Sequence, residues 1–341
     1  MKRFLTLLLC FALVLCGCSH QAQPEKKQYT ATFLELFDTV TTIIGRDDTQ
    51  EEFQRKAQDI RDRLEHYHRL FDIYNDYEGI SNIKTINDNA GTQPVTVDPA
   101  IIQLLLDCRA YYQLTGGKVN VAMGSVLQLW HLARNDAQRD PREARLPDAQ
   151  ALREAAAHTA FDSIVIDEAA STVFITDRAA SLDVGAVAKG WAVQRVAQDA
   201  PSGMLISVGG NVYATGPKNQ DGAPWVIGIQ DPENPDKNIH SLYVTEGSVV
   251  TSGDYQRYYV VDGQKYHHII DPDTQMPAAY WQTVSVLCAD SGLADALSTS
   301  LFLMDLEQGK ALAQACNAEV LWIDQQKNEF MTAGFESRLR N

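Results

Sequence analysis

Cysteine is scarce in this chain: six residues in 341, three of which (Cys10, Cys16 and Cys18) fall before residue 19. The remaining three, Cys108, Cys288 and Cys316, are too few and too widely separated for a disulfide framework, and they lack the paired spacing of a zinc site. Each reads as a small buried hydrophobe, with one bridged pair left open by sequence alone. Positive charge is also in short supply. Lysine and arginine number 29 against 44 acids, a net charge of −15. That excludes a broad surface tracking a nucleic-acid backbone, so no nucleic-acid partner is expected. A single nucleotide is not excluded, because it needs only a local reversal of charge, which a divalent cation supplies. The apolar run Phe4–Cys16 is too short to span a bilayer comfortably. There is no internal repeat, low-complexity tract or long flexible linker, which sets aside solenoids and arrays.

What is present is the balance of a globular protein with a sizeable core: 45% hydrophobic and 21% charged residues. Lys2 and Arg3 ahead of the short apolar run read as a secretory signal over residues 1–17. Leu15-Cys16-Gly17-Cys18 with the polar stretch after it resembles the lipobox of bacterial lipoproteins. On that resemblance Cys18 is diacylated and becomes the new N-terminus, residues 18–29 form a tether, and the protein sits on the extracytoplasmic face of the cell membrane. More than one acyl chain suffices for stable anchoring. An ordinary cleaved signal with chance cysteines is the plainer alternative. Residues 30–341 then form one compact unit or two intimately packed lobes.

Within that unit, Tyr29–Gly45 is rich in Thr, Val, Ile and Phe and reads as strand. Phe53, Ala57, Ile60, Leu64, Tyr67 and Phe71 recur at steps of three and four, one face of a helix of about twenty residues. A loop is expected over 75–91. Asp98-Pro99 opens a second helix and Gly116-Gly117 closes it. The charged stretch 134–148, with two prolines, reads as a surface excursion. Further strands are expected at 163–167, 172–176, 204–208, 225–230, 258–261, 266–270, 283–287 and 320–324, and helices at 291–304 and 306–316. Helices and strands interleave without a βαβ rhythm, so the fold class is α+β with mixed, largely antiparallel sheets and packed helices.

Several segments have the composition of a site. Leu182–Ala192 runs from strand-like residues through a glycine turn into a helix. Such a turn presents free N–H groups and a partial positive charge, suited to phosphate, and Lys189 adds a cation in the first turn. The absence of a Gly-Lys-Ser/Thr ending excludes a Walker loop. Asp183 as a simple cap and Lys189 as a solvated surface residue describe the same stretch. Asp295 and Thr299, four apart on one helix, are neighbouring hard oxygen donors of the kind Mg²⁺ takes when it keeps waters and phosphates as further ligands. Taken alone, they also suit an acid placed by the helix dipole and a threonine bonded back to a carbonyl. His267 and His268 end a predicted strand, so they point to opposite faces and only one can serve as a general base. Ser207–Asn211 supplies another backbone-exposing turn.

In order along the chain, Leu36–Val40, Thr115–Gly117 with Trp130, Asp183–Ala192, Ser207–Asn211, Thr251–Tyr255, His268–Pro272 and Ala294–Thr299 together resemble the ApbE family, the FAD:protein FMN transferases. The resemblance runs from about residue 30 to residue 332. It implies an ApbE-like fold and a catalytic unit that cleaves FAD, attaches FMN by a phosphoester to a threonine of a target protein, and releases AMP. By matching motif, it implies Mg²⁺ on Asp295, Thr299 and the carbonyl of Ala186. It places Phe37, Asp183, Lys189 and Ile269 at FAD. It puts Lys118, Val119 and Asn120 on a strand lining the flavin pocket, and His268 as the base. The acceptors it implies are exported or membrane redox subunits, as in sodium-pumping NADH:quinone oxidoreductases and Rnf complexes. Two positions depart from the family pattern: Asn120 where many members carry Asp, and Gln275 where glycine is usual, which predicts a reshaped turn. A hydrolase giving free FMN and AMP, or a non-catalytic flavin-binding lipoprotein, remain alternatives on the same residues.

Overall fold

The computed structural model describes residues 26–234 and 236–340. The expected signal and lipobox, with Cys18, lie outside them. A twisted antiparallel sheet of eight strands forms the spine, in the spatial order Lys27–Leu36, Thr39–Asp47, Met204–Val208, Asn211–Thr215, Glu246–Gly253, Trp281–Cys288, Glu319–Asp324 and Glu329–Met331. Strand alternation divides its side chains between two cores. Ile43, Ile206 and Val208 pack beneath helices Gln50–Phe71 and Ala188–Asp199. Leu205, Ala214 and Val249 face the other way, onto the hairpin of Trp225–Gln230 and Asn238–Val244. Every strand pair among the described residues is antiparallel, so the α+β expectation holds and the sheets carry no parallel strand pairing.

Local chemistry explains the helices. Thr49 caps Gln50–Phe71 by accepting from the Glu52 N–H, and Phe53, Ala57, Ile60 and Leu64 are buried along the expected stripe. Asp98 caps Pro99–Leu114, with proline in the first turn where its missing N–H costs nothing. Asp290 caps Ser291–Phe302, a helix buried along nearly its whole length. Its one acid, Asp295, is only 3% exposed. Among the described residues no helix is long and apolar enough to cross a membrane. Cys108, Cys288 and Cys316 are unpaired thiols, the first two buried.

Several expectations are corrected. The run 29–45 is a hairpin rather than one strand, and its first strand starts at Lys27, inside the stretch expected as a tether. The reversal escapes notice because Phe37 and Asp38, not glycine or asparagine, take the left-handed conformation at its tip (φ 53° and 54°). The loop 75–91 contains a helix, Ile83–Asp88, with a reciprocal Asn82–Thr85 capping box. The 134–148 excursion begins inside helix Gly124–Arg139, so Arg134 belongs to an element that contacts the core. Residues 118–120 are not a strand, and the strand expected to reach Ile270 stops at His267.

Candidate active site

Loop ends from both halves of the chain surround one cavity of about 930 Å³. Its floor is where helices Ala188–Asp199 and Ser291–Phe302 cross. Gly190 permits the crossing: a Cβ there would stand 2.3 Å from the Ser291 carbonyl oxygen and 2.4 Å from the Asp295 Cβ. The Gly190 N–H donates to Asp295 Oδ2 at 2.8 Å, and Lys189 Nζ lies 3.7 Å from the same oxygen. The Asp295 carboxylate therefore caps the neighbouring helix across the crossing, which neither sequence reading of it anticipated. Its other oxygen has no partner among the described residues.

Thr299 also lines the cavity. Its neighbours Ser298 and Ser300 bond back to the carbonyls of Asp295 and Leu297, whereas the Thr299 hydroxyl makes no such bond. The Ala186 carbonyl lies just ahead of the N-cap residue Val187, outside the helical ladder, and accepts no hydrogen bond among the described residues. Three uncommitted oxygens thus border the cavity beside a lysine, at the start of a helix: a carboxylate, a hydroxyl and a carbonyl. Hard donors of mixed charge, few enough to leave positions for water and phosphate, suit a small divalent cation.

The second wall carries the two histidines, which take separate roles as expected, although the strand ends at His267 and His268 lies in the bend beyond it. His267 is buried and satisfied: its Nε2 lies 2.8 Å from the Ala278 carbonyl, and its Nδ1 accepts from the Ile269 N–H. His268 faces the cavity. Its Nδ1 lies 3.2 Å from the Arg257 carbonyl; a carbonyl only accepts, so Nδ1 carries the hydrogen and Nε2 keeps its lone pair. Burial, with the charges of Arg257, His267 and Lys189, pushes the His268 pKa down to about 3, so the ring is neutral at ordinary pH. Ile269 follows it in the cavity lining.

Asp183 accepts from the Gly185 N–H at 2.9 Å, shaping the turn before helix Ala188–Asp199 rather than capping the helix. Phe37 lies at the hairpin tip, its N–H donating to His68 Nδ1 and its ring edge-on to that imidazole. Lys118, Val119 and Asn120 reach the cavity from the turn after Gly116-Gly117, but two of their side chains are used inside the protein. Lys118 Nζ bridges Asp271 and Asp273 at 2.9 and 2.8 Å. The Asn120 amide donates to the Thr159 carbonyl while its oxygen accepts from the Ala122 N–H. An aspartate could not make the first of these bonds, which gives this chain's asparagine a structural reason. Gln275 keeps its turn in the left-handed conformation that glycine takes freely (φ 58°), its side-chain amide bonded to the Pro272 and Asp273 carbonyls.

Other lining residues carry no motif. Asp72 follows the first long helix and accepts from the Tyr74 and Asn75 N–H groups, the Asn75 amide and the Tyr77 hydroxyl. Burial would raise its pKa, but these bonds outweigh it and hold the carboxyl below its usual range. The bonded loop presents Tyr74, whose hydroxyl meets His131 Nδ1 at 3.0 Å. The cluster of Asp and Asn after the helix was the available signal. Arg134 and Arg257 also line the cavity, and neither has an ion-pair partner among the described residues. Burial and the neighbouring Arg257 hold the Arg134 pKa below its usual value. Asn211, 1% exposed, borders the cavity with its amide nitrogen unpartnered among the described residues. Lys118, Arg134, Lys189 and Arg257 face Asp38, Asp72, Asp183 and Asp295 across this space, so the cleft is locally balanced in a strongly acidic protein.

An α+β scaffold thus surrounds one deep cleft with uncommitted oxygen donors, a lysine and a neutral histidine, the setting of a transferase site. The chain belongs to the ApbE family, whose model matches residues 37–322. It is 33% identical over 279 residues to the FAD:protein FMN transferase of Treponema pallidum (strain Nichols), covering 76% of this chain and 75% of that protein. It is 32% identical over 286 residues to the FAD:protein FMN transferase of Klebsiella pneumoniae (strain 342), covering 80% and 85%. Among solved structures, the ApbE protein of Thermotoga maritima superposes with a TM-score of 0.80 at 28% identity, covering 92% of this chain and 100% of the other. The flavin transferase ApbE of Vibrio cholerae gives 0.76 at 25% identity, with the same coverage.

Proposed function

We propose that this chain is a Mg²⁺-dependent FAD:protein FMN transferase that cleaves FAD, joins FMN through a phosphoester to a threonine of an acceptor protein and releases AMP. The observation that supports the reading is that Asp295, Thr299 and Ala186 line one cavity with Lys189, whose Nζ lies 3.7 Å from Asp295 Oδ2, and that this cavity is large enough for a dinucleotide. The oxygens of Asp295, Thr299 and Ala186 would hold the ion, which supplies charge neutralisation on the phosphate oxygens of the departing AMP.

The chain's own groups do the rest. Lys189 meets phosphate oxygens at the start of its helix. Phe37, Asp183, Ile269 and the 118–120 turn border the flavin dinucleotide, the turn through its backbone and Val119, since the Lys118 and Asn120 side chains are bonded within the protein. His268 Nε2 takes the proton of the threonine hydroxyl as its oxygen bonds to the FMN phosphorus and the bond to the bridging oxygen breaks. Its low basicity in the free protein comes partly from Arg257 and Lys189. An incoming diphosphate neutralises those cations, so substrate binding raises the basicity of the ring when it is needed.

The reading extends to acylation of Cys18, to attachment at the extracytoplasmic face of the membrane, and to exported redox subunits bearing an acceptor threonine. Incubation with FAD, Mg²⁺ and a threonine-bearing acceptor, followed by mass spectrometry, tests it. An FMN adduct on the threonine with equimolar AMP is expected. Free FMN and AMP without an adduct would indicate a hydrolase, and tight FAD binding without turnover a flavin-binding protein.

A further inference from the structure

We propose that Lys118 is a positioning residue for the base: by bridging Asp271 and Asp273, its ammonium fixes the loop that carries His268 against the flavin-side wall of the cavity. The inference rests on the reading of His268 as the proton acceptor.

The loop is stiff within itself. The Asp271 N–H donates to the Met276 carbonyl, the Gln275 N–H to the Asp271 carbonyl, and the Ala278 N–H to the Ile269 carbonyl. Asp271 Oδ1 also accepts from the Asp273 N–H. His267 closes the neck through the Ala278 carbonyl. None of these bonds ties the loop to the opposite wall, and both hydrogen bonds of His268 itself, from its N–H and its Nδ1, run to the Arg257 carbonyl, in the segment leading into the same hairpin. The hairpin is anchored elsewhere, by the Tyr259 hydroxyl on the Arg145 carbonyl and by Lys265 on Asp254, but neither contact reaches the 268–278 loop, which left to its own bonds would shift about its neck and carry Nε2 with it.

Three bonds, from two side chains, oppose that shift. Trp130 Nε1 donates to the Gln275 carbonyl at 2.9 Å, and Lys118 Nζ reaches Asp271 Oδ1 at 2.9 Å and Asp273 Oδ2 at 2.8 Å. The Lys118 and Asp271 side chains are 19% and 15% exposed, so this arm is shielded, while Asp273 at 75% contributes less. Burial would lower the lysine pKa, yet the two carboxylates outweigh it and raise it, which keeps the tie charged. Lys118 leaves the Gly116-Gly117 turn, both glycines at positive φ, and its own N–H donates to the Thr115 carbonyl. The anchor point therefore belongs to the segment that borders the flavin.

The test compares wild type with Lys118→Met, Lys118→Arg and Asp271→Asn, the last keeping an oxygen for the Asp273 N–H while removing the charge. Three quantities are read: kcat and KM for AMP release from FAD with Mg²⁺ and a threonine-bearing acceptor, FAD affinity by flavin fluorescence, and hydrogen exchange over 268–278. In Lys118→Met and Asp271→Asn, kcat is expected to fall about tenfold or more, in keeping with the sensitivity of proton transfer to small misplacement. FAD affinity should stay within about twofold of wild type, exchange over 268–278 should rise, and Lys118→Arg should recover most of the rate. Weakened FAD binding at unchanged kcat would make Lys118 a ligand contact and overturn the proposal. So would wild-type exchange and kcat in Lys118→Met. A wild-type protein that releases no AMP would sink the functional reading instead, and the exchange data would still decide whether Lys118 holds the loop.

Discussion

At the scale of single residues, Asp295 has two duties that substitution can separate. One oxygen satisfies the Gly190 N–H, and the carboxylate's charge is the anionic member of the proposed metal set. Asp295→Asn retains an acceptor, so its urea midpoint should stay near wild type while Mg²⁺-dependent turnover falls about a hundredfold or more. Asp295→Ala should lose turnover and also about 1–3 kcal/mol of stability, because a buried N–H is left unpaired. Equal stability of the two variants would refute the capping role. Arg257→Ala removes a cation beside His268 while leaving the backbone carbonyl bonded to its Nδ1. The His268 pKa should therefore rise, moving the acid limb of the kcat/KM profile to higher pH; an unmoved limb would mean that another group titrates. At this scale the sequence was readable where spacing encodes geometry. Asp295 and Thr299 are one helical turn apart; the separate roles of His267 and His268 were also expected, though the strand ends at His267 and the bend after it, not alternation, turns His268 to the cavity. Arg134, Arg257 and Tyr74 were not readable, because they reach the cavity from elements whose relative placement is set by packing.

At the scale of elements, the close crossing of helices Ala188–Asp199 and Ser291–Phe302 depends on the missing side chain of Gly190. Gly190→Ala puts a methyl against a backbone carbonyl and a Cβ, atoms that cannot rotate away. The expected cost is about 1–3 kcal/mol. Because Asp295 sits on the displaced helix, the Mg²⁺ concentration for half-maximal activity should rise as well. A calorimetric scan with a metal titration checks both, and a wild-type titration in a destabilised variant would detach the crossing from the site. The amphipathic helices were legible from periodicity and caps. The strands Asn211–Thr215 and Glu246–Gly253 were not: both are internal to the sheet, and the second, buried at most positions, shows no polar alternation. The hairpin tip at Phe37 and Asp38 was hidden because strain there is tolerated by residues that do not announce a turn.

At the scale of the whole molecule, His131, His267 and His268 are all held below their usual pKa, with burial the largest cause in each. The unfolded chain takes up protons at these rings near pH 6.5, whereas folded His268 resists until about pH 3. Their contribution to stability is therefore complete above pH 6.5 and declines as pH falls through that window. Urea midpoints at pH 7 and pH 5 should differ, and His268→Gln should narrow the difference. An unchanged gap would assign the acid sensitivity to other groups. The antiparallel α+β architecture was readable from the interleaving of elements. The sheet order was not, since it joins strands separated by more than 150 residues.

The strand Lys27–Leu36 runs directly into the hairpin tip at the cavity. Extended, it measures about 33 Å, and the stretch from Cys18 to Lys27 can add no more than about 30 Å. With acyl chains on Cys18, the reaction centre would move on a leash of fixed maximum length, within roughly 60 Å of the lipid surface. Acceptors would then be sorted by how high above the bilayer they hold their threonine, a selection by altitude that no pocket residue needs to enforce.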